Sequence, residues 1–320
     1  EELKKIITNK TKCVMTVHWC GNAGDLSRIR SICKQKKIYL IEDAAQAPTS
    51  FYKCDSVCFG CDKTCEKFNS PMSIGTFGDV AVFSFNEPKN IMTGEGGLIV
   101  TNNKEIAIKC RLIRNHGEAI VTDEYNDKQL INIIGYNFRM TELHAAIAYV
   151  QSKKYQKINF IRQKNYNYLC NEIINRFDKY LTPQKITHPE SYYAYTASFK
   201  WDSQYSGVHR NVVAEVLMSE GIPVFKGYHR LMSDHPMFKR KIAFGKNGFP
   251  WNDNKIDYNK LKIPVARNLV DNQFLGFLQL GFPNNENDMD HIIYAFNKII
   301  KNIDKLKKYK NVDNKLDIGR

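Results

Sequence analysis

The sequence predicts an α/β fold, with a large domain on a mostly parallel sheet and a small α+β domain after it. The first observation is a strand–helix–strand pattern: residues 12–19 are rich in β-branched side chains, Asp25 can cap a helix, and residues 38–41 are continuously apolar. Such a unit pairs its strands in parallel and places ligands at their carboxyl ends. The second observation is a change of pattern after Thr182-Pro183, beyond which short strands and helices alternate.

The limits of the predicted domains follow from these patterns and from the size of the chain. With 320 residues, of which 43% are hydrophobic, the chain is long enough for two packed domains. We expect a large domain over residues 1–180, which contains a polar, cysteine-bearing loop at residues 51–78. A small α+β domain should cover residues 181–308, and residues 309–320 should form a basic tail.

Apolar periodicity predicts the remaining helices and strands. Residues 104–113 have the pattern of a helix. A longer helical pattern covers residues 143–169, and we expect the lysine-rich residues 153–157 to divide it into two helices. In the small domain, alternating apolar and aromatic side chains predict a strand over residues 193–201. The last helix should begin near Asn287-Asp288, because Asn and Asp are favoured at helix starts.

The charge of the chain suggests anionic partners without indicating nucleic acid. The chain has 47 Lys and Arg against 33 Asp and Glu, a net charge of +14. The lysines are interleaved with Asn, Asp and Ile, however, and they cluster only at residues 305–315. No zinc-finger, RNA-recognition or basic-zipper pattern accompanies them. We therefore expect a solvated basic surface with some affinity for phosphorylated substrates, and no nucleic-acid partner.

The hydrophobic residues of the chain do not predict membrane contact. No apolar run approaches the roughly 18 residues that a membrane-spanning helix requires. The first residues lack the apolar core of a signal peptide. We expect a cytoplasmic protein.

Four of the nine cysteines lie close together, whereas the others are scattered. An odd, scattered set disfavours a secreted disulfide framework. The C-x3-C-x2-C-x3-C run can hold zinc or an iron–sulfur cluster, but zinc sites usually place their cysteine pairs further apart. We expect a reduced, solvent-facing loop and no bound metal, and keep as candidate ligands Cys54, Cys58, Cys61 and Cys65.

A lysine in a strand–turn–strand segment is the first candidate for chemistry. An apolar strand ends at Ser84, Lys89 follows after a proline, and a Gly-rich turn leads to the apolar residues 98–100. A lysine held beside apolar residues is desolvated, which lowers its pKa and makes the neutral amine a nucleophile for carbonyl carbon. Lysine forms Schiff bases, most commonly with pyridoxal phosphate (PLP). Most lysines near turns are solvated, so Lys89 needs partners elsewhere in the chain.

Three segments read together resemble the DegT/DnrJ/EryC1/StrS family. They are Asp43-Ala44-Ala45-Gln46, the segment Ser84-Phe85…Lys89…Gly94-Glu95-Gly96-Gly97, and Gly135-Tyr136-Asn137-Phe138-Arg139-Met140-Thr141-Glu142. Members of this family are PLP-dependent aminotransferases of fold type I, and the order and spacing of the segments agree. Because members begin with a further stretch, the resemblance implies that the large domain is N-terminally incomplete and that the chain is a fragment or a truncated product.

The resemblance implies a role for individual residues in holding PLP. Lys89 matches the Schiff-base lysine, which also moves the proton between substrate carbon and cofactor. Asp43 matches the acid that pairs with the pyridine nitrogen and keeps the ring an electron sink. Gln46 matches a residue near the ring and its phenolic oxygen, and Ser84 matches a hydroxyl donor to the phosphate.

The resemblance also implies a homodimer with shared active sites. Asn137 and Arg139 match a loop that crosses to the neighbouring subunit's site and touches its phosphate or substrate. Both residues also suit a turn that leads into a helix, and that alternative stays open. We expect His18 and His116 to be structural.

The function implied is transfer of an amino group from glutamate or glutamine to a keto-sugar, often nucleotide-linked, or to a keto-cyclitol. Such reactions belong to amino-sugar, polysaccharide or secondary-metabolite biosynthesis. PLP-dependent sugar dehydratases usually lack the lysine, so Lys89 disfavours that reaction. Two alternatives remain: a truncated, inactive paralogue that acts as a binding or dimer partner, and, less favoured, a basic nucleic-acid-binding or metal-binding module centred on the four clustered cysteines.

Overall fold

The computed structural model describes two compact units. Unit 1 comprises residues 1–162 and 186–195, and unit 2 comprises residues 163–185 and 196–320. The predicted domain limits at residues 180 and 308 stay predictions. The residues described are 1–53, 71–87, 89–118, 133–186, 194–227, 230–244, 248–251 and 256–309.

Unit 1 is built on a four-stranded sheet in the order β1-β2-β5-β6. Strands β1, β2 and β5 are parallel, and β6 is antiparallel to β5. The parallel strand–helix–strand unit is therefore confirmed, and the carboxyl ends of β2 and β5 lie side by side. The strands are β1 (Cys13–Val17), β2 (Tyr39–Asp43), β5 (Val80–Ser84) and β6 (Gly97–Val100).

Two of the first three helices of unit 1 begin at side-chain caps. Helix α1 covers Glu2–Ile6 and has no such cap. Helix α2 covers Leu26–Lys36, and the carboxylate of Asp25 accepts a hydrogen bond from the Arg28 N–H at 3.3 Å, as predicted. Helix α3 covers Lys104–Arg114 and is capped in the same way by Asn103. These caps bind N–H groups that have no partner inside the helix.

Both described ends of the predicted loop 51–78 belong to the core of unit 1. Strand β3 (Phe51–Lys53) pairs antiparallel with β4 (Pro71–Ser73). The segment is polar on average, so its composition does not predict a buried position. A few large apolar side chains account for its place in the core. They form one cluster with residues of the first strand–helix–strand unit: Ala23, Leu26, Ala44, Ala47, Tyr52, Ile74 and Phe77.

The expected break at residues 153–157 is wrong. Helix α4 runs without interruption over Glu142–Phe177, a length of 36 residues. Lysine is a good helix former, and Lys153, Lys154 and Lys157 are exposed on the helix surface. The run of charges is a solvated face, and no Gly or Pro interrupts the helix.

Unit 2 is built on an antiparallel sheet in the order β7-β8-β10-β9. Of the strand predicted at 193–201, residue 193 lies outside the described residues, and among the described ones the strand begins at residue 197. Its apolar side chains at alternate positions are buried, as expected. The strands are β7 (Leu181–Pro183), β8 (Ala197–Trp201), β9 (Phe225–Lys226) and β10 (Phe274–Phe277).

Short helices and one long helix complete unit 2. The last long helix starts at Glu286, one residue before the predicted Asn287, with a capping box in which Asn285 and Asp288 each bind the other's backbone N–H. The helices are α5 (Ser203–Ser206), α6 (Arg210–Ser219), α7 (Pro236–Arg240), α8 (Pro264–Asn268), α9 (Glu286–Lys301) and α10 (Ile303–Leu306).

The described helices are all too short or too polar to cross a lipid bilayer.

Candidate active site

The structure brings Lys89 and Asp43 together at the carboxyl ends of two neighbouring parallel strands. Asp43 is the last residue of β2, and it stands opposite Val82 of β5. Lys89 follows β5 and is half-buried. Burial lowers the pKa of the Lys89 ammonium below its usual value, while the nearby Asp43 carboxylate opposes this shift. The amine therefore has a larger neutral fraction near pH 7 than an ordinary lysine.

The turn that carries Lys89 is held by its own backbone. The N–H of Lys89 donates to the Asn86 carbonyl at 2.9 Å, and the Asn86 side chain donates to Glu95 at 2.9 Å. The next residue, Asn90, is buried, and its Oδ1 has no hydrogen-bond partner within the part of the chain that the structure describes. A buried amide oxygen without a partner is costly, so it marks a place where a polar group is expected.

Gln46 lies near the same strand ends and binds the turn that follows β1. Its side-chain Oε1 accepts a hydrogen bond from the Cys20 N–H at 2.7 Å. Cys20 is fully buried and has a φ of +56°, which is uncommon for a non-glycine residue. The Gln46 side chain therefore fixes an unusual turn after β1.

Ser84 ends β5 and faces the Gly-rich segment. In the sheet, Ser84 pairs with Gly97 of β6, and the Ser84 Oγ accepts a hydrogen bond from the Asn86 N–H at 3.2 Å. A hydroxyl that accepts one hydrogen bond still has its own proton to donate. The position therefore suits a donor to an anionic group.

A buried pair next to Asp43 lies outside the three segments that predict the site. His18 Nε2 lies 3.0 Å from Glu42 Oε2, and both side chains are fully buried. The Glu42 oxygens also accept backbone N–H groups from Gly75, Phe77 and Gly78. Burial alone would raise the pKa of Glu42, but the hydrogen bonds from His18, Gly78 and Gly75 lower it below its usual value. Glu42 directly precedes Asp43, the first residue of the motif. This position in the sequence is the signal that could have identified Glu42.

Asn137 and Arg139 lie on the surface of unit 1. Arg139 Nη1 donates to the Asn115 side chain at 2.8 Å, and residues 115 and 137 form an isolated antiparallel bridge. In the described ranges, no recorded hydrogen bond joins Asn137 or Arg139 to Lys89 or Asp43. The contacts that hold these two residues come from unit 1 itself, and both side chains are exposed.

The cysteine cluster lies outside the described residues, because Cys54, Cys58, Cys61 and Cys65 all fall between residues 53 and 71. Within the described ranges no group of three or more His, Cys, Asp or Glu side chains is placed to hold a metal. A cleft of about 430 Å³ lies elsewhere in unit 1, at the amino ends of the strands, where Leu40 and Asp79 line it. It holds none of the predicted site residues.

A sequence model of the DegT/DnrJ/EryC1/StrS aminotransferase family matches residues 1–274. The chain belongs to this family. Aminotransferases of the family are PLP-dependent.

Two GDP-perosamine synthases are among the relatives of this family member. One, from Escherichia coli O157:H7, is 35% identical over 190 residues, which are 59% of this chain and 44% of that protein. The other, from Vibrio cholerae, is 31% identical over 280 residues, 85% of this chain and 66% of that protein. The chain thus spans 44 to 66% of these relatives.

Solved structures confirm the type I fold. An aminotransferase from Psychrobacter cryohalolentis has a TM-score of 0.73 at 23% identity, and the match covers 94% of this chain and 72% of that one. Helicobacter pylori PseC, an aminotransferase of pseudoaminic acid biosynthesis, has a TM-score of 0.70 at 20% identity, covering 92% and 70%. An E. coli GDP-4-keto-6-deoxy-D-mannose-3-dehydratase with bound hydrated PLP has a TM-score of 0.65 at 24% identity, covering 92% and 69%.

Proposed function

We propose that this chain is the PLP-binding part of an aminotransferase that moves an amino group from glutamate or glutamine to a nucleotide-linked keto-sugar. One observation carries the proposal. Lys89, with a pKa that burial lowers, stands beside the charge of Asp43 at the carboxyl ends of β2 and β5. In sheets of this kind ligands bind at such strand ends.

The described residues fit a PLP group. Lys89 supplies a half-buried amine, Asp43 supplies a negative charge beside it, and Ser84 supplies a hydroxyl proton for a phosphate oxygen. The unpartnered Oδ1 of buried Asn90 adds a polar atom next to the lysine. Gln46 would approach the ring from the Cys20 turn. Each part of PLP would therefore have a partner: the amine for its aldehyde, the carboxylate for its basic ring nitrogen and the hydroxyl for its phosphate.

The residues divide the proton chemistry between them. When bound, PLP supplies an electron sink for the negative charge left on a substrate carbon that has lost a proton. Neutral Lys89 Nζ can accept that proton and return it, because its lowered pKa lies closer to the operating pH. The Asp43 carboxylate can hold a proton on a ring nitrogen by hydrogen bonding and charge. Each role uses an atom that the fold already holds at these strand ends.

The substrate class follows from the relatives and from charge. Both GDP-perosamine synthases are named for a nucleotide-linked amino sugar. The net charge of +14 suits a diphosphate substrate better than a neutral one. A keto-cyclitol therefore becomes the less favoured acceptor.

The proposal makes Asn137 and Arg139 part of a neighbouring subunit's site in a homodimer. Apolar side chains beside them are exposed in the single chain, with Ile134 87% and Leu143 79% exposed. The rings of Tyr136 and Phe138 stack on each other at 5.0 Å and are exposed as well. Contiguous exposed apolar residues mark protein interfaces, and a second copy of the chain would cover them.

Reductive trapping tests the cofactor assignment. The protein is incubated near neutral pH with one equivalent of PLP, reduced with borohydride and mapped by mass spectrometry. We expect the adduct on Lys89, and its loss in Lys89→Arg. Lys109 is the internal control, because its ion pair with Glu105 raises its pKa and protects the amine from reaction. An adduct spread over surface lysines, or absent from Lys89, rejects the proposal.

Isotope transfer tests the reaction. With glutamate or glutamine labelled with ¹⁵N at the α-amino group as donor, we expect ¹⁵N in the product of a nucleotide-linked keto-sugar and none from a keto-cyclitol. The reverse pattern would reassign the acceptor.

Light scattering tests the dimer. Leu143→Asp should convert dimers to monomers, because it places a charge in the proposed interface. Tyr294→Asp is the matched control, since Tyr294 is 66% exposed on α9 of unit 2. A wild-type chain that is monomeric at high concentration would reject the dimer.

A further inference from the structure

The Lys89 side chain contacts an aromatic ring from a distant part of the chain. Its Nζ lies 5.1 Å from the centroid of the Tyr195 ring, and Tyr195 is only 4% exposed. A cation within about 6 Å of a ring face is attracted by the ring, most strongly where water is excluded. Tyr195 lies outside the three segments that predict the active site.

Backbone hydrogen bonds fix the position of Tyr195. Its N–H donates to the Cys20 carbonyl at 3.3 Å. Its carbonyl accepts from Arg162 Nη2 at 2.6 Å, and Arg162 Nε donates to the Ala194 carbonyl at 3.1 Å. Because these bonds use the main chain, a change of the Tyr195 side chain leaves the anchors in place.

The same contacts connect Tyr195 to a second predicted site residue. The N–H of Cys20 is bound by the Gln46 side chain, and the carbonyl of Cys20 accepts the Tyr195 N–H. A continuous series of contacts thus leads from Gln46 through Cys20 and Tyr195 to Lys89. The two predicted residues are held in one arrangement by two residues that the motifs do not include.

We propose that Tyr195 is a positioning residue for Lys89: its ring face holds the protonated amine beside the charge of Asp43. The neutral amine has no charge for the ring to attract, so loss of the proton frees the side chain to react. The role of this contact in preparing Lys89 for reaction rests on the proposed function. The contact between Lys89 and Tyr195 forms without a cofactor.

Trace labelling of the PLP-free protein with acetic anhydride tests the contact. Acetylation of Lys89 near pH 7, measured by peptide mass spectrometry, reports its neutral fraction. In Tyr195→Leu the apolar bulk remains but the ring face is lost, so Lys89 should react about 2- to 30-fold faster, the factor that a cation–ring attraction implies. Tyr195→Phe keeps the ring and should restore the wild-type rate. An unchanged or slower rate in Tyr195→Leu overturns the proposal.

Further variants separate the contact from other effects. If Tyr195→Leu does not fold, Tyr195→Met makes the same comparison with a flexible side chain. Tyr149→Leu is the matched control, because Tyr149 and Lys153 form an exposed pair of the same type at 3.9 Å; the Lys89 rate should not change in it. Equal acceleration in the Phe and Leu variants would assign the effect to the hydroxyl group and overturn the proposal. If borohydride trapping fails while Tyr195→Leu still accelerates labelling, the positioning contact is supported and the cofactor assignment is rejected.

Discussion

His18 and Glu42 form a fully buried pair, with Nε2 and Oε2 3.0 Å apart, directly beside the predicted active site. The backbone N–H of His18 also donates to the Asp43 carbonyl at 3.0 Å. His18, the residue that follows β1, therefore binds two consecutive residues of β2. Its side chain binds Glu42, and its main chain binds Asp43. The pair joins the turn after β1 to the strand end that presents Asp43.

Glu42→Gln should destabilise the chain strongly. The substitution removes a buried charge that accepts N–H groups from Gly75, Phe77 and Gly78 and leaves His18 without a carboxylate. Removal of one partner of a buried pair costs about 3–5 kcal/mol. Urea unfolding near pH 7 measures the loss. Exposed Glu118→Gln should leave the free energy of unfolding unchanged, and a similar result for Glu42→Gln would show that the pair is not stabilising.

The contribution of Glu42 should depend on pH. Its pKa is lower in the folded chain than the unfolded value of about 4.3, so the charge stabilises the fold above that pH. The stabilisation is lost as the pH falls through the lowered folded pKa. We expect the deficit of Glu42→Gln in urea unfolding to be largest near neutral pH and to shrink in acid. A deficit that does not change between neutral and acidic pH would contradict the shift.

Asp43→Asn should make Lys89 more reactive in the absence of PLP. The carboxylate charge favours protonated Lys89, whereas burial, the larger effect, disfavours it. Without the charge, the pKa of Lys89 should fall further, and acetylation near pH 7 should rise several-fold. Asp25→Asn, on the exposed cap of α2, is the control. An unchanged rate would mean that the two groups are too far apart to interact.

Local features of the fold were predictable, whereas contacts between distant residues were not. The Asp25 cap and the apolar strand before Asp43 follow from a few neighbouring residues. The His18–Glu42 contact spans 24 residues and depends on the register of β1 against β2. Tyr195 contacts Lys89 from a distant part of the chain, and its main chain is bound by both Cys20 and Arg162. No periodic pattern encodes such pairings.

Average composition is a poor guide to structure where a few side chains decide it. The charge of residues 153–157 suggests a break in the helix, yet lysines continue a helix while their amines stay in water. The segment around Tyr52 and Phe77 looked like a polar loop, although these two rings meet edge to face at 5.3 Å in the core. In both places the average polarity of the segment says less than the direction of single side chains.

Gly75→Ala should destabilise unit 1. Gly75 has a φ of +92°, and an added Cβ would lie 2.4 Å from Phe83 Cζ. The left-handed backbone alone costs an alanine about 1–2 kcal/mol, and the contact with the ring adds to it. Gly24→Ala is the matched control: nothing lies within 4 Å of its Cβ, so it should be neutral or slightly stabilising. Equal urea midpoints for the two variants would contradict the close packing of Gly75.

Arg210→Met should destabilise unit 2, because Arg210 holds three backbone carbonyls. Its guanidinium donates to the carbonyls of Phe274 at 2.6 Å, Val270 at 3.0 Å and Asp271 at 2.8 Å, and burial lowers its pKa to about 10. Methionine fills similar space but donates no hydrogen bond, so carbonyls near the start of β10 would lose partners at roughly 1–3 kcal/mol each.

The matched control for this variant is Arg176→Met, which removes an exposed ion pair with Glu172 on α4. Exposed pairs contribute little, so its urea midpoint should stay close to that of the wild type. Arg210→Lys should fall between wild type and Arg210→Met, because an ammonium keeps the charge but lacks the planar fork that reaches several carbonyls at once. If Arg210→Lys unfolds at the wild-type midpoint, charge alone stabilises this region and the three-way hydrogen bonding does not.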